Sequence, residues 1–286
     1  MDICFTKNKI LNIGGFGTIY KENDKAIKVV NHRHGSIQNL LELILYFSLS
    51  TYLVQAHSYE IDKLCYKIYM PLALYDLSKV LKLKLAKSFD VISILHDVCM
   101  GIEYLHSRNI IHGDIKPSNI LIFKNHKTYI AKITDFSLSG LCYERINNKY
   151  VYTNGYRAPE VELKGSYSFK ADVWALGQTF KKMQSKFPIL QTKEFDNLIH
   201  NMMLNKEEDR YTIYNVLSND IFRIYKPPEI QVHNSEEIVE LTEKNIFIAK
   251  LLNKMMRKFV QENEDFIEQE ISYTDFLVNF FQVKVF

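Results

Sequence analysis

The sequence predicts an α+β fold in which a small sheet-rich lobe precedes a larger helical one, and three observations carry that prediction. Between residues 10 and 30, apolar and polar residues alternate around a glycine cluster and end in AIKVV, the pattern of two or three short antiparallel strands. From Ser88 onward apolar residues recur at helical spacing, at Val91, Ile94, Leu95, Val98, Ile102 and Leu105. Strands and helices are segregated along the chain instead of alternating, which argues against a βαβ fold.

The 286 residues are 47% hydrophobic and 24% charged, with a formal charge of +3. That is an ordinary globular composition, long enough to bury a full core without disulfides or metals. So small a positive excess, with no run of five or six like charges, gives no basis for a nucleic-acid surface. Cys4, Cys65, Cys99 and Cys142 are far apart and form no CxxC pair, so reduced thiols in a cytosol-like compartment are expected. The opening MDICFTKNKILNIGG lacks the basic and apolar regions of a signal peptide, and no export is predicted. A cytoplasmic location is the expectation, and a nuclear one is compatible with it.

After the first strands, a helix is predicted from about 37 to 50. It begins the apolar stretch Leu40 to Val54, which carries Glu42 and is too short to span a bilayer, so no membrane is expected. This stretch reads as a buried amphipathic helix, or else as the face on which an activating partner sits. Strand-like runs follow near 52 to 70, first YLV and then CYKIYM. Pro227-Pro228 mark a break. The expected organisation is a domain over 1–222, with lobes at about 1–70 and 75–222, a linker over 223–233 and a helical extension over 234–286. In the extension Asn234 and Glu237 read as a cap, and Ile238, Leu241, Ile248, Leu252, Met255 and Phe259 share a helical face. The apolar end, from Phe276 to Phe286, is expected to dock on the rest of the chain.

The segments that carry chemistry begin with LNIGGFGTIY, whose glycines let backbone N–H groups approach phosphates, although a hairpin would use them equally well. Lys28 in AIKVV is a lone cation on an apolar strand, which an edge strand would also tolerate. IIHGDIKPSNILI is more telling. Within six residues Asp114, Lys116 and Asn119 supply a proton acceptor, a phosphate counter-charge and a metal ligand. Asp135 follows in KITDFSLSG, then YRAPEVEL at 156–163 and ADVWALG at 171–177.

The first five of these six motifs, in this order, resemble the signature set of the eukaryotic-type protein kinases. The resemblance runs from Leu11 to Phe222 and implies a bilobal fold and phosphoryl transfer from ATP with Mg2+. It implies that Gly14 and Gly17, with Phe16 at the tip, cover the ATP phosphates. Lys28 would contact the α- and β-phosphates and pair with a helix-borne glutamate, for which Glu42 is the only candidate between Lys28 and Tyr59. Asp114 would accept the substrate proton, Lys116 would neutralise the γ-phosphoryl group, and Asn119 and Asp135 would hold the magnesium ions. Met70 would lie behind the adenine, with Pro71 to Leu74 as the hinge and Ala26, Leu72 and Ala73 among the nucleotide contacts. Asp172 resembles the aspartate that braces the catalytic loop, and Glu160 with Arg210 the pair that locks the activation segment. His112 is expected to pack beside Phe136. Thr153, three before Tyr156, and KPSN resemble the Ser/Thr branch, so the implied partner is a protein bearing Ser or Thr.

Three positions depart from the family's pattern. Asn12 stands at the first loop glycine, or else the loop is one residue shorter; Gly113 stands where the catalytic loop has an arginine, and Ser137 at the glycine of DFG. Without the arginine, a phosphorylated activation loop loses its main receptor, so activity independent of such phosphorylation is expected. Were φ positive at 137, serine would cost on the order of 1 kcal/mol there. The departures motivate the alternative of a pseudokinase that binds a nucleotide or a protein. The stretch from Asp172 to Arg210 is also shorter than the family's, and the helix near 234–260 is expected to fill the gap.

Overall fold

The computed structural model describes residues 9–15, 17–31, 37–48, 50–61, 65–83, 90–125, 128–141, 153–165 and 168–223. The chain divides into two compact units, Met1–Pro228 and Glu229–Phe286. The second unit, and with it the helix and apolar terminus expected over 234–286, lies outside the described residues.

The first lobe is a five-stranded antiparallel sheet of β1 (Lys9–Gly14), β2 (Gly17–Glu22), β3 (Lys25–Asn31), β4 (Ser58–Ile61) and β5 (Cys65–Pro71). Its order is β1-β2-β3-β5-β4. Strand β5, CYKIYMP, alternates half-buried and buried positions, as a strand with one face on a core must. Asn23, at φ 52, makes the turn between β2 and β3, where Asn tolerates the left-handed region. Because β3 is central, Lys28 is not on an edge.

Helix α1 (Ile37–Tyr46) follows β3. It ends four residues earlier than the periodicity suggests, and Phe47 and Ser48 continue it only as tight turns onto Ile44 and Leu45. Every residue from Leu41 to Ser48 is buried, so packing within the chain accounts for this apolar run. The YLV segment corrects the strand reading. Leu53 makes a single parallel bridge to Ile133, and Val54 donates to the Ile133 carbonyl at 2.8 Å. It is locally extended, but its partner belongs to the other lobe.

That lobe is built around α3 (Val91–His106), capped by the Asp90 carboxylate, which accepts from the Ile92 and Ser93 N–H groups. All six apolar positions read from its sequence are buried. Around it lie α2 (Leu77–Lys82), α4 (Pro159–Lys164), α5 (Phe169–Gln184), α6 (Lys193–Met202), α7 (Ile213–Leu217) and α8 (Asp220–Arg223). Phe180 of α5 stacks on Phe195 of α6 with ring centroids 5.7 Å apart. Two small sheets carry the loops that matter: β6 (Tyr75–Asp76) with β8 (Ile120–Asn125) and β9 (Thr128–Ile133), and β7 (Ile110–Ile111) with β10 (Gly140–Leu141). The site's loops leave from β7, β8 and β9. No helix among the described residues is long and apolar enough to cross a membrane.

Candidate active site

The glycine cluster forms the turn of the β1–β2 hairpin, with Gly14 opposite Gly17. A Cβ on Gly17 would come within 2.6 Å of the Val29 carbonyl oxygen, so this glycine is required by the approach of β3. A Cβ on Gly15 would meet nothing within 4 Å, so the turn is open on that side. Phe16 lies outside the described residues. Asn12 sits just after an irregularity in the β1 register.

Behind the turn, Ala26 of β3 is paired with buried Met70 of β5. The chain then passes to the second lobe through Leu72, Ala73 and Leu74. The Leu72 N–H donates to the Asp24 carbonyl at 3.1 Å and the Leu74 N–H to the Ile122 carbonyl at 3.0 Å. Between them the backbone of Ala73 has no hydrogen bond among the described residues.

Lys28 is 4% exposed. Its Nζ donates to Glu42 of α1 and, at 2.8 Å, to Asp135 Oδ1. Burial works against the ammonium charge, but the Glu42 and Asp135 carboxylates outweigh it and hold the Lys28 pKa well above the ordinary lysine value. Asp135 shows the reverse. Burial raises its pKa, yet the Lys28 charge and the hydrogen bonds from Lys28 and Ser137 bring it down to about 2. Both groups are therefore ionised at neutral pH.

Tyr46, one helical turn after Glu42, is a site residue that the motifs do not mark. Its hydroxyl accepts from the Asp135 N–H at 3.3 Å, and its ring meets Phe136 edge-on at 5.0 Å. Burial pushes its pKa up to about 12, so the hydroxyl stays protonated. The i, i+4 spacing from Glu42 was the available signal.

The second cluster rests on the loop between β7 and β8. Asp172 of α5, buried, accepts from the His112 N–H at 2.8 Å, the Gly113 N–H at 2.9 Å and His106 Nε2 at 3.0 Å. Burial raises its pKa, but these partners prevail and lower it. His112 packs against Phe136 at 5.7 Å. Its Nδ1 accepts from the Asp114 N–H at 3.1 Å, which leaves Nε2–H to donate to the Thr134 carbonyl, also at 3.1 Å.

The loop so braced presents Asp114, 8% exposed. Its Oδ2 accepts from Lys116 Nζ at 2.6 Å and Asn119 Nδ2 at 3.0 Å, and its Oδ1 from the Thr153 hydroxyl at 3.1 Å. Lys116 also donates to Thr153 Oγ1 at 2.7 Å. Asn119 closes a 3-10 turn over Pro117–Asn119, and its Nδ2 donates to the Asp114 carbonyl as well, at 2.9 Å. The Thr134 N–H, next to Asp135, donates to the Asn119 carbonyl at 3.0 Å, which ties the two clusters together. The structure thus unites Lys28, Glu42 and Asp135 in one cluster and Asp114, Lys116 and Asn119 in the other.

Two of the departures have local explanations. Ser137 is not in the left-handed region; among the described non-glycine residues only Asn23, Asn109 and Asp135 are, Asp135 at φ 65. The cost expected of the serine does not arise, and its hydroxyl instead donates to Asp135 Oδ1 at 2.9 Å. Gly113 does require glycine. Its φ is 80, and a Cβ there would lie 2.7 Å from the Leu138 carbonyl oxygen. Farther out, Arg210 donates to both oxygens of Glu160, at 2.7 and 2.9 Å, in a fork that joins α4 to the segment before α7.

The chain is similar in sequence to known proteins. The chain is 32% identical over 180 residues to mitogen-activated protein kinase mpk-1 of Caenorhabditis elegans, covering 60% of this chain and 37% of that one. Against mitogen-activated protein kinase 5 of Arabidopsis thaliana it is 36% identical over 115 residues, 40% of this chain and 29% of the relative. A rice protein, cysteine-rich receptor-like protein kinase 6 of Oryza sativa subsp. japonica, is 32% identical over 196 residues, 60% of this chain and 27% of the relative. The aligned stretches span about a third of these relatives' lengths. The family model described as protein kinase domain matches residues 5–269, nearly the whole chain, and with the motifs and lobes described above this makes the chain a member of the protein kinase family.

Proposed function

We propose that this chain is an active protein kinase that transfers the γ-phosphoryl group of ATP to Ser or Thr hydroxyls of proteins. The observation that carries this reading is the Asp114 carboxylate, aimed and held by Lys116, Asn119 and Thr153. A carboxylate fixed by three donors is preorganised to orient a hydroxyl and take its proton. In the transfer, the hydroxyl oxygen bonds to the γ-phosphorus while the bond to the β,γ-bridging oxygen breaks. ADP leaves with the electron pair, and the proton passes to Asp114. Lys116, beside Asp114, offsets the charge on the moving group, and Lys28, held by Glu42, meets the α- and β-phosphates.

The donor set fits magnesium. Asp135 is ionised at neutral pH, and the Asn119 amide nitrogen is spent on Asp114, so the amide oxygen is the atom Asn119 would offer to the ion. Among the described residues no group of three or more His, Cys, Asp or Glu side chains stands ready for a metal. Magnesium needs no such cage, because one or two protein oxygens together with substrate phosphates are its usual shell. When bound there it would supply charge neutralisation between the phosphate oxygens. Ala73, with both backbone groups uncommitted among the described residues, is the hinge position suited to the adenine edge.

Preference for Ser/Thr over Tyr is supported by Thr153, whose hydroxyl bridges Lys116 and Asp114. The test is radiolabelled phosphate transfer from MgATP to generic protein substrates, followed by phosphoamino-acid analysis. Label is expected on Ser and Thr and is expected to disappear with Asp114→Ala. Phosphatase pretreatment is expected to leave transfer intact, since Gly113 offers no side chain to a phosphorylated loop. Absent transfer, with ATP still raising the melting temperature, would favour the nucleotide-binding pseudokinase.

A further inference from the structure

Beside Asp114 opens a cavity of about 510 Å3, bounded by α2, the 3-10 turn at Pro117–Asn119, the Thr153–Tyr156 segment and the end of α5. Its described lining includes Lys82, Lys116, Lys182 and Lys186 and no carboxylate. In a chain whose whole formal charge is +3, four cations on one cavity wall are a strong local concentration. A concave wall of one sign focuses its field into the space it encloses.

The lysines differ in what they are free to do. Lys116 is committed to Asp114 and Thr153, at 2.6 and 2.7 Å. Lys182 Nζ donates to the Tyr156 hydroxyl at 2.7 Å and lies 4.3 Å from that ring's centroid. Its partner is neutral, so the contact positions the ammonium without cancelling its charge. Lys82 and Lys186 are exposed, and neither they nor Lys182 form an ion pair among the described residues. Three uncompensated ammonium groups therefore face a cavity whose inner wall, Lys116 and Thr153, touches the carboxylate proposed to take the substrate proton.

We propose that this cavity seats an anionic side chain of the protein substrate, a carboxylate or a phosphate a few residues from the hydroxyl to be phosphorylated. The proposal rests on the kinase reading above and adds the substrate's charge. Basic flanking residues are rejected by the same lysines, so the wall discriminates in both directions.

The test uses the full chain and one fluorescein-labelled serine peptide in four versions, with Glu, phosphoserine, Ala or Lys at the flanking positions. Binding is followed by fluorescence anisotropy and phosphate transfer from MgATP is measured in parallel. The Glu or phosphoserine version, or both, is expected to bind at least about 10-fold more tightly than the Lys version, and whichever binds better identifies the anion. Lys186→Glu and Lys82→Glu are expected to shrink that ratio, and Lys182→Glu with Lys186→Glu to invert it. Equal binding of all four versions, or a ratio unmoved by Lys186→Glu and Lys82→Glu, would overturn the proposal. Transfer to every version without charge preference would leave the kinase reading standing and remove this one. Charge-selective binding without transfer would do the opposite, leaving an anionic-peptide site on a chain that is not an active kinase.

Discussion

Two buried ion pairs, one in each lobe, are built for opposite purposes. Arg210 is buried and heavily committed: it grips both oxygens of Glu160, donates to the Lys170 and Leu204 carbonyls at 2.9 and 3.0 Å, and lies 5.0 Å from the Trp174 ring centroid. Lys28 has two carboxylates, Glu42 and Asp135, and Asp135 is 36% open to solvent. Four of the five Arg210 N–H groups are committed to fixed acceptors, so its part is to hold. Lys28 shares its charge between a buried anchor and an exposed acid, so a polyanionic ligand arriving on the open side finds a cation already in place. Net stability is a poor measure of either pair, since desolvation offsets much of the attraction, but breaking each one has a distinct signature.

The largest expected effect is on Arg210. Arg210→Met strands the Glu160 carboxylate in the core and should cost about 3–5 kcal/mol of stability by urea unfolding, most of it recovered when Glu160→Leu is added. Lys28→Met should instead appear mainly in catalysis, lowering kcat by about 10²–10³-fold, as removal of a single preorganised charge does elsewhere. Loss of stability as large as that of Arg210→Met would erase the distinction between the pairs.

A pH titration sharpens the comparison. The Asp135 pKa lies near 2 in the fold against an ordinary 3.8, so its charge stabilises the protein above about pH 4. That contribution is lost as the pH falls through 2. With the side chain partly open to solvent, screening reduces it to about 1 kcal/mol. Urea unfolding between pH 5 and 2 should therefore show wild type losing about that much more stability than Asp135→Asn. The smallest effect is expected at Ser137. Ser137→Gly removes one hydrogen bond and relieves no left-handed backbone, so it should destabilise by about 0.5–1 kcal/mol, visible as a small fall in melting temperature.

Short-range chemistry was legible in the sequence. Asp114, Lys116 and Asn119 fall within one loop, and the face of α3 follows directly from its period. Glu42 could be singled out because no other glutamate lies between Lys28 and Tyr59. What escaped depends on distant partners. Tyr46 earns its place by reaching Asp135, 89 positions away. The YLV segment looks like a strand, and only the position of Ile133 decides that it stitches the lobes together. Backbone handedness escaped for the same reason. The left-handed residue near the second aspartate motif is Asp135 itself and not Ser137, and its partners Lys28 and Tyr46 lie far away in the chain.

The tight fit at Gly113 also constrains how this protein can change. Placing an arginine there is not a single step, because its Cβ would lie 2.7 Å from the Leu138 carbonyl oxygen, on a backbone whose φ of 80 disfavours any side chain. The backbone at 138 must first retreat, and until it does that change brings only a clash. A side chain at 113 is therefore a two-part change, in which room beside Leu138 has to accompany the new residue.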